Sequence, residues 1–295
     1  MKEYDILEII KHKIGNEYIG DDCAYLNEQN IVVSQDSFIE DIHFNREWYT
    51  PFQLGYKSTI VNISDILASG ATPKYITIAL SLPNNIDEAF INDYYDGVNS
   101  ALSGAKVIGG DITGSTDKIF ISITAIGDTK NRHISSRANA KEEYFIVTKG
   151  LHGTSSAGLN ELLNNGSDTK LKNAHICPQL EYDFANSIAT LVESPYAMMD
   201  TSDGLADALY KIAEASNKKI IIDYNKIEHL DTVSKEQVLF GGEDYKLVAA
   251  IPEKYADMID CTVIGRVAKY DGVRLDISGD KYSDYTQLKV FNHFK

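Results

Sequence analysis

Six short acidic motifs punctuate the chain, each beside glycine or a small hydroxyl residue: Gly20-Asp21-Asp22, Ser34-Gln35-Asp36, Asn62-Ile63-Ser64-Asp65, Gly109-Gly110-Asp111, Asp200-Thr201-Ser202-Asp203-Gly204 and Gly241-Gly242-Glu243-Asp244. Carboxylates drawn together on tight turns repel one another unless cations lie between them. Hard carboxylate oxygens with little His or Cys nearby suit Mg²⁺, which keeps part of its water shell and shares its remaining positions with substrate phosphates. Asp22, Asp36, Asp65, Asp111, Asp200 and Asp203 are the candidate ligands of several such ions across a nucleotide's phosphates. Glycines beside Asp22, Asp111 and Asp203 allow close backbone approach. A phosphate-handling enzyme is expected, although neither G-x-x-x-x-G-K-[ST] nor G-x-G-x-x-G occurs, which disfavours a P-loop or a Rossmann site.

The elements that must position these groups follow from hydrophobic spacing. Leu7, Ile10 and Ile14 recur at helical intervals before Gly15, predicting a short opening helix. Ile31-Val32-Val33 reads as a buried strand ending in Ser34-Gln35-Asp36. Thr50-Pro51 supplies an N-cap with proline in the first turn, and Phe52, Tyr56, Ile60, Ile63 and Leu67 form one apolar stripe that Gly70 and Pro73 end. On that helix Asn62 and Asp65 share a face distinct from the stripe, so Asp65 can point into a site. Strands over 75–82 and 119–126 flank a helix marked by Ile86, Phe90, Tyr94 and Val98, and Val107-Ile108 leads into Gly109-Gly110-Asp111. The polar run 127–132 is the best boundary, which puts the division near residue 134 and gives domains 1–134 and 135–295. In the second half, strands at 144–148, 220–222 and 245–251 alternate with helices through Leu163 and over Leu205, Leu209 and Ile212. The class is α/β, with acidic motifs at element ends, where such folds gather ligand contacts. The loop Gly153-Thr154-Ser155-Ser156 reads equally as a phosphate cradle or as a capped helix start.

Bulk properties narrow the partners. With 295 residues, 43% of them hydrophobic, the chain has material for a substantial core. A formal net charge of −15 argues against nucleic acid or an anionic membrane as partner, since both require clustered Lys and Arg. Cys23, Cys177 and Cys261 are odd in number and lack C-x-x-C spacing, so neither a disulfide framework nor a zinc site is expected. No hydrophobic signal region opens the chain and no apolar run is long enough to span a bilayer, so a cytoplasmic protein is expected.

Taken in order, Gly20-Asp21-Asp22-Cys23-Ala24, His43-Phe44, Asn62-Ile63-Ser64-Asp65, Gly109-Gly110-Asp111, Asp200-Thr201-Ser202-Asp203-Gly204-Leu205 and Gly241-Gly242-Glu243-Asp244-Tyr245 resemble the signature of the thiamine-monophosphate kinase family, from about residue 18 to the carboxyl terminus. The resemblance implies a two-domain, aminoimidazole ribonucleotide synthetase-like fold of mixed sheets, with a homodimer built on the amino-terminal sheets. It implies transfer of the ATP γ-phosphoryl group to thiamine monophosphate, with Mg²⁺ ions and K⁺ as a further cation. By the same resemblance Asp22, Ser34, Gln35, Asp36, Asp65, Asp111, Asp200 and Asp203 are metal ligands. Asp36, Asp65, Asp111 and Asp203 are also taken as catalytic. Gly110, Asp111, Arg137 and Ser202 contact ATP, while His43, Glu243 and Phe291 contact the thiamine phosphate. Departures from the family pattern are Gln35 for Thr, Lys246 for an acidic residue and Phe291 for Tyr or Trp. A sister activity of the superfamily and a non-catalytic metal- or nucleotide-binding module are the alternatives.

Overall fold

The computed structural model describes residues 3–15 and 18–291. Along the chain run α1 (Glu3–Ile14), β1 (Ala24–Leu26), β2 (Ile31–Ile39), α2 (Pro51–Ala68), β3 (Thr72–Leu82), α3 (Glu88–Ala101), β4 (Lys106–Gly114) and β5 (Phe120–Asp128). The second half follows with β6 (Phe145–Thr148), α4 (Thr154–Leu163), α5 (Thr169–Ile176), α6 (Tyr182–Leu191), β7 (Ala197–Asp200), α7 (Leu205–Ala215) and β8 (Lys218–Ile222). It closes with α8 (Lys235–Phe240), β9 (Leu247–Ile251), β10 (Thr262–Lys269), β11 (Leu275–Ile277) and β12 (Asp280–Tyr282). Two mixed sheets result, ordered β1-β2-β5-β3-β4 and β12-β11-β8-β10-β6-β9-β7. The first sheet ends at Asp128 and the second begins at Phe145, and on this basis we propose the division near residue 134.

Helix α2 organises the molecule. Thr50 caps it through a reciprocal pair with Gln53, and Pro51 occupies its first turn, as its sequence predicts. Leu54, Val61 and Ile66 pack with Ile76, Ile78, Ile121 and Ile123 of the first sheet. Ile63, Leu67 and Ala68 pack instead with Phe184, Ile188, Met198 and Leu247 of the second half. The helix is therefore buried around most of its circumference rather than along one stripe, and its Lys57, Ser64 and Asp65 meet residues of the second half in the seam between the halves. Helix α3 approaches it closely: a Cβ on Gly55 would lie 1.9 Å from the Tyr94 carbonyl oxygen, and one on Gly97 would lie 1.9 Å from that of Phe52.

Two acidic motifs sit differently from the sequence expectation. Strand β2 continues to Ile39, so Asp36 lies inside the strand instead of near its end. Val32, Ser34 and Phe38 are buried on the face that meets α2, and the alternation carries Asp36 to that face. Gly109-Gly110-Asp111 likewise lies within β4, an edge strand whose every residue is exposed.

Candidate active site

Four carboxylates meet in the seam. Asp22 arrives from the turn after Gly20, Asp36 from β2, Asp65 from α2 and Asp200 from the end of β7. Carboxylate oxygens of Asp22, Asp65 and Asp200 lie within 4.8 Å of one another. The Asp36 backbone N–H donates to Asn62 Oδ1 at 3.2 Å, which ties β2 to α2 and sets the Asp36 carboxyl beside that of Asp65. Ser64 Oγ donates to Asp200 Oδ2 at 2.6 Å and the Ser202 N–H donates to Asp200 Oδ1 at 3.2 Å, so both halves of the chain hold the same side chain. Arg137 places its guanidinium 3.0 Å from Asp22, and its backbone N–H donates to Asp21 at 2.7 Å. Asp203 stands at the rim, 3.2 Å from the Lys211 ammonium, which also pairs with buried Asp207 at 2.8 Å.

Electrostatics show how unfavourable this gathering is for bare anions. Burial first, then the charges of Asp36, Asp200 and Asp22, push the Asp65 carboxyl well above the ordinary carboxylate range. Asp200 is raised to about 7 by burial and by Asp22, against the opposing hydrogen bonds from Ser64 and Ser202. Burial also raises Asp36 and Asp22, the latter in spite of Arg137. A divalent cation removes the conflict, because it replaces proton-requiring repulsion by attraction. Ser34 Oγ, buried beside Asp65, is a further oxygen ligand for such an ion, while the Arg137 Nε–H, buried without a hydrogen-bond partner among the described residues, suits an anionic oxygen.

A second cluster adjoins the first. Glu243, at φ 64°, donates its N–H to the Ser202 carbonyl at 2.7 Å, which links it to the Asp200 loop. Its Oε2 accepts from Lys57 Nζ at 3.2 Å and lies 3.4 Å from His175 Nδ1. Burial opposes ionisation of Glu243, yet the charge of Lys57 and its hydrogen bond outweigh it and hold the carboxyl below its usual range. Burial and Lys57 push His175 itself down to about 4, so it is neutral at pH 7 and Lys57 is the cationic partner. His43 stacks on Phe38 at 5.4 Å and accepts the Ile39 N–H at 3.1 Å.

The candidates named from sequence thus divide. Asp22, Ser34, Asp36, Asp65, Asp200, Arg137 and Ser202 gather in one place, with Asp203 at the rim and His43 and Glu243 adjoining. Gln35 and Asp111 fall on the opposite face of the first sheet: Asp111 pairs with Ala79, Ala79 with Ser122, and Ser122 Oγ accepts from Gln35 Nε2 at 3.2 Å. Gly110 lies beside Asp111 on the same exposed edge strand. Phe291 is 58% exposed at the end of the described chain, just past Val290, which packs on the core of the second half. The Gly153 loop is a capped helix start, since Asp244 accepts from the Gly153 and Ser155 N–H groups and from the Thr154 hydroxyl. Lys57, Tyr49, His175 and Lys211 escaped the sequence reading. Lys57 alone carried a signal: it shares the helical line of Leu54 and Val61, where a lysine is out of place.

Comparison with known proteins places this geometry. Residues 20–129 match the family described as AIR synthase related protein, N-terminal domain. A chain of a HypE-HypF complex shares the fold, with a TM-score of 0.76 at 21% identity over 94% of this chain and 97% of that one. The fold is therefore the AIR synthase-related two-sheet fold. Within it, the thiamine-monophosphate kinase of Bacillus subtilis (strain 168) is 30% identical over 100% of both chains. That of Aquifex aeolicus is 32% identical over 93% of this chain and 94% of its own. The solved structure of AaThiL complexed with AMPPCP and TMP matches with a TM-score of 0.89 at 30% identity, over 99% of this chain and 97% of that one. The chain belongs to the thiamine-monophosphate kinase family and is a kinase.

Proposed function

We propose that the protein transfers the γ-phosphoryl group of ATP to thiamine monophosphate, giving thiamine diphosphate and ADP by direct in-line displacement. The observation that carries this reading is the convergence of Asp22, Asp65 and Asp200, from both halves of the chain, within 4.8 Å. Relatives named for this activity, and a similar structure holding AMPPCP and TMP, support it. Asp22, Asp36, Asp65, Asp200 and Asp203, with Ser34, are the residues that would hold Mg²⁺. When bound, Mg²⁺ neutralises and aligns the phosphates of both substrates. The acceptor phosphate, with a second pKa near ~6, is mostly dianionic at neutral pH, so the chain need supply no strong base. Arg137, whose Nε–H has no partner among the described residues, forks onto phosphate oxygens, and Ser202 holds the nucleotide beside Asp200. His43 and Glu243 receive the acceptor's cationic end, and Phe291 supplies an aromatic face for it.

Asp111, Gly110 and Gln35 enter through a second copy. Strand β1 covers only Ile31–Val33 of β2, which leaves the edge of β2 beside Asp36 open, and β4 presents an exposed edge of its own. We assign a homodimer in which β4 of one subunit lies along β2 of the other, so that Asp111 and Gly110 join the partner's Gln35 and Asp36. No helix among the described residues is long and apolar enough to cross a membrane, and the cytoplasm, with its ATP and reduced thiols, is the proposed location.

The test is a coupled ADP assay with Mg²⁺ across thiamine, thiamine monophosphate and aminoimidazole precursors. ADP release that requires thiamine monophosphate is expected. ATP turnover that is equal with and without this acceptor contradicts the reading.

A further inference from the structure

Lys57 is unusual on physical grounds alone. Its side chain is 0% exposed at the middle of α2, where an unpaired ammonium would be strongly destabilising. Its Nζ donates to Tyr49 Oη at 2.9 Å and to Glu243 Oε2 at 3.2 Å. It also lies 5.5 Å from the Tyr49 ring centroid and 6.0 Å from that of Phe38. The Tyr49 ring in turn meets His175 edge-on at 6.5 Å, and His175 bonds Ser155 Oγ at 3.0 Å. Lys57 and His175 both address the same oxygen of Glu243, Oε2, while the Glu243 side chain keeps 27% of its surface exposed. The ammonium is thus sealed from any ligand, but the carboxylate it holds is not. Since the Glu243 N–H is fixed to the Ser202 carbonyl, the carboxylate has an anchored backbone and one anchored oxygen, Oε2, which leaves Oε1 outside the contacts of Lys57 and His175.

We propose that Lys57 is a positioning residue for the acceptor: by clamping Oε2 of Glu243 from beneath, it presents Oε1, oriented and ionised, to the cationic or amino group of the bound substrate. This rests on the reading that thiamine monophosphate is the acceptor and that Glu243 meets its cationic end. Lys57 touches no substrate atom and acts only through Glu243. Without it, a buried carboxylate beside a neutral histidine takes up a proton or rotates, and recognition of positive charge fails.

The experiment compares wild type, Lys57→Met, Lys57→Gln, Glu243→Gln and the Lys57→Met/Glu243→Gln double variant. It measures kcat and KM for thiamine monophosphate and for ATP, with circular dichroism as the check on folding. Loss of one charge-assisted hydrogen bond corresponds to about a tenfold to hundredfold effect. Lys57→Met is expected to raise KM for thiamine monophosphate by that factor and leave KM for ATP unchanged. Lys57→Gln, which keeps a donor on a side chain one bond shorter, recovers part of the loss. In the Glu243→Gln background the Lys57→Met change adds nothing to the acceptor KM. Where Lys57→Met does not fold, Lys57→Gln carries the same comparison. An unchanged acceptor KM, equal shifts for both substrates, or full additivity with Glu243→Gln overturns the Lys57 assignment while the functional reading stands. A folded wild type that never uses thiamine monophosphate overturns both.

Discussion

Removing divalent cations should make the stability of this protein depend on pH with an unusual sign, and the carboxylate seam sets the window. Asp200 has an ordinary pKa of 3.8 when unfolded and about 7 when folded, chiefly because of burial and then Asp22. A carboxyl raised on folding contributes stability that is fully present below its unfolded pKa and is lost as pH rises through the folded one. In chelator, wild type should therefore lose ground between roughly pH 4 and 7 relative to Asp200→Asn, which cannot ionise. At 1.36 kcal/mol per pKa unit, the Asp200 shift alone corresponds to on the order of 4 kcal/mol. Asp65, Asp36 and Asp22 shift in the same direction and reinforce the trend. Mg²⁺ supplied at 100 times its dissociation constant restores about 2.7 kcal/mol, or about 5 °C in Tm for a chain of this size. Scanning calorimetry of wild type and Asp200→Asn, from pH 5 to 8 in EDTA and in Mg²⁺, measures the effect. A wild type whose Tm at pH 8 is indifferent to Mg²⁺, or a gap between the two proteins that does not widen with pH, would refute the reasoning.

Three further outcomes are expected. Asp65→Asn relieves repulsion at the most strongly shifted carboxyl, so its metal-free Tm should equal or exceed that of wild type while its turnover falls by orders of magnitude; steady-state kinetics and calorimetry on one preparation check both. If Asp111 serves the partner's site, Asp65→Asn and Asp111→Asn homodimers are each inactive, whereas refolding an equal mixture restores about a quarter of wild-type activity, because half the dimers are hybrids with one intact site. No recovery would place Asp111 outside a shared site. Asp244→Ala removes the carboxylate that caps α4 through the Gly153 and Ser155 N–H groups, and urea denaturation should register a loss of about 1–2 kcal/mol.

What the sequence disclosed follows the strength of its local signals. Thr50 and Pro51 marked the start of α2 because capping and proline chemistry act within one turn. The motifs of Asp22, Asp36, Asp65 and Asp200 marked the seam through their number, since any one Gly-Asp pair alone reads as a turn, whereas that of Asp111 falls on an exposed edge strand. The extent of β2 was hidden: Ser34 and Asp36 face a polar site rather than a core, so the apolar alternation that defines a strand lapses between Val32 and Phe38. The same holds for Gly109-Gly110-Asp111, which carries no apolar side chain along an exposed edge. Helices α5 and α8 and strands β11 and β12 are too short for a period to emerge. The Glu243 network depends on residues 186 positions apart, Lys57 and Glu243, brought together only by the packing of α2 against the second half. His175 gives no sign in its own neighbourhood.

Direct measurement of metal uptake at the seam bears most closely on the central claim. Mn²⁺, a spectroscopic stand-in for Mg²⁺, can be titrated into wild type, Asp65→Asn and Asp200→Asn in the presence of a non-hydrolysable ATP analogue, with free ion read by electron paramagnetic resonance. Carboxylates from both halves that clasp divalent ions around a polyphosphate predict tight, nucleotide-enhanced Mn²⁺ binding in wild type and loss of at least one bound ion in either variant. Equal uptake by all three proteins, or uptake by wild type no greater than that of the analogue alone, would contradict it.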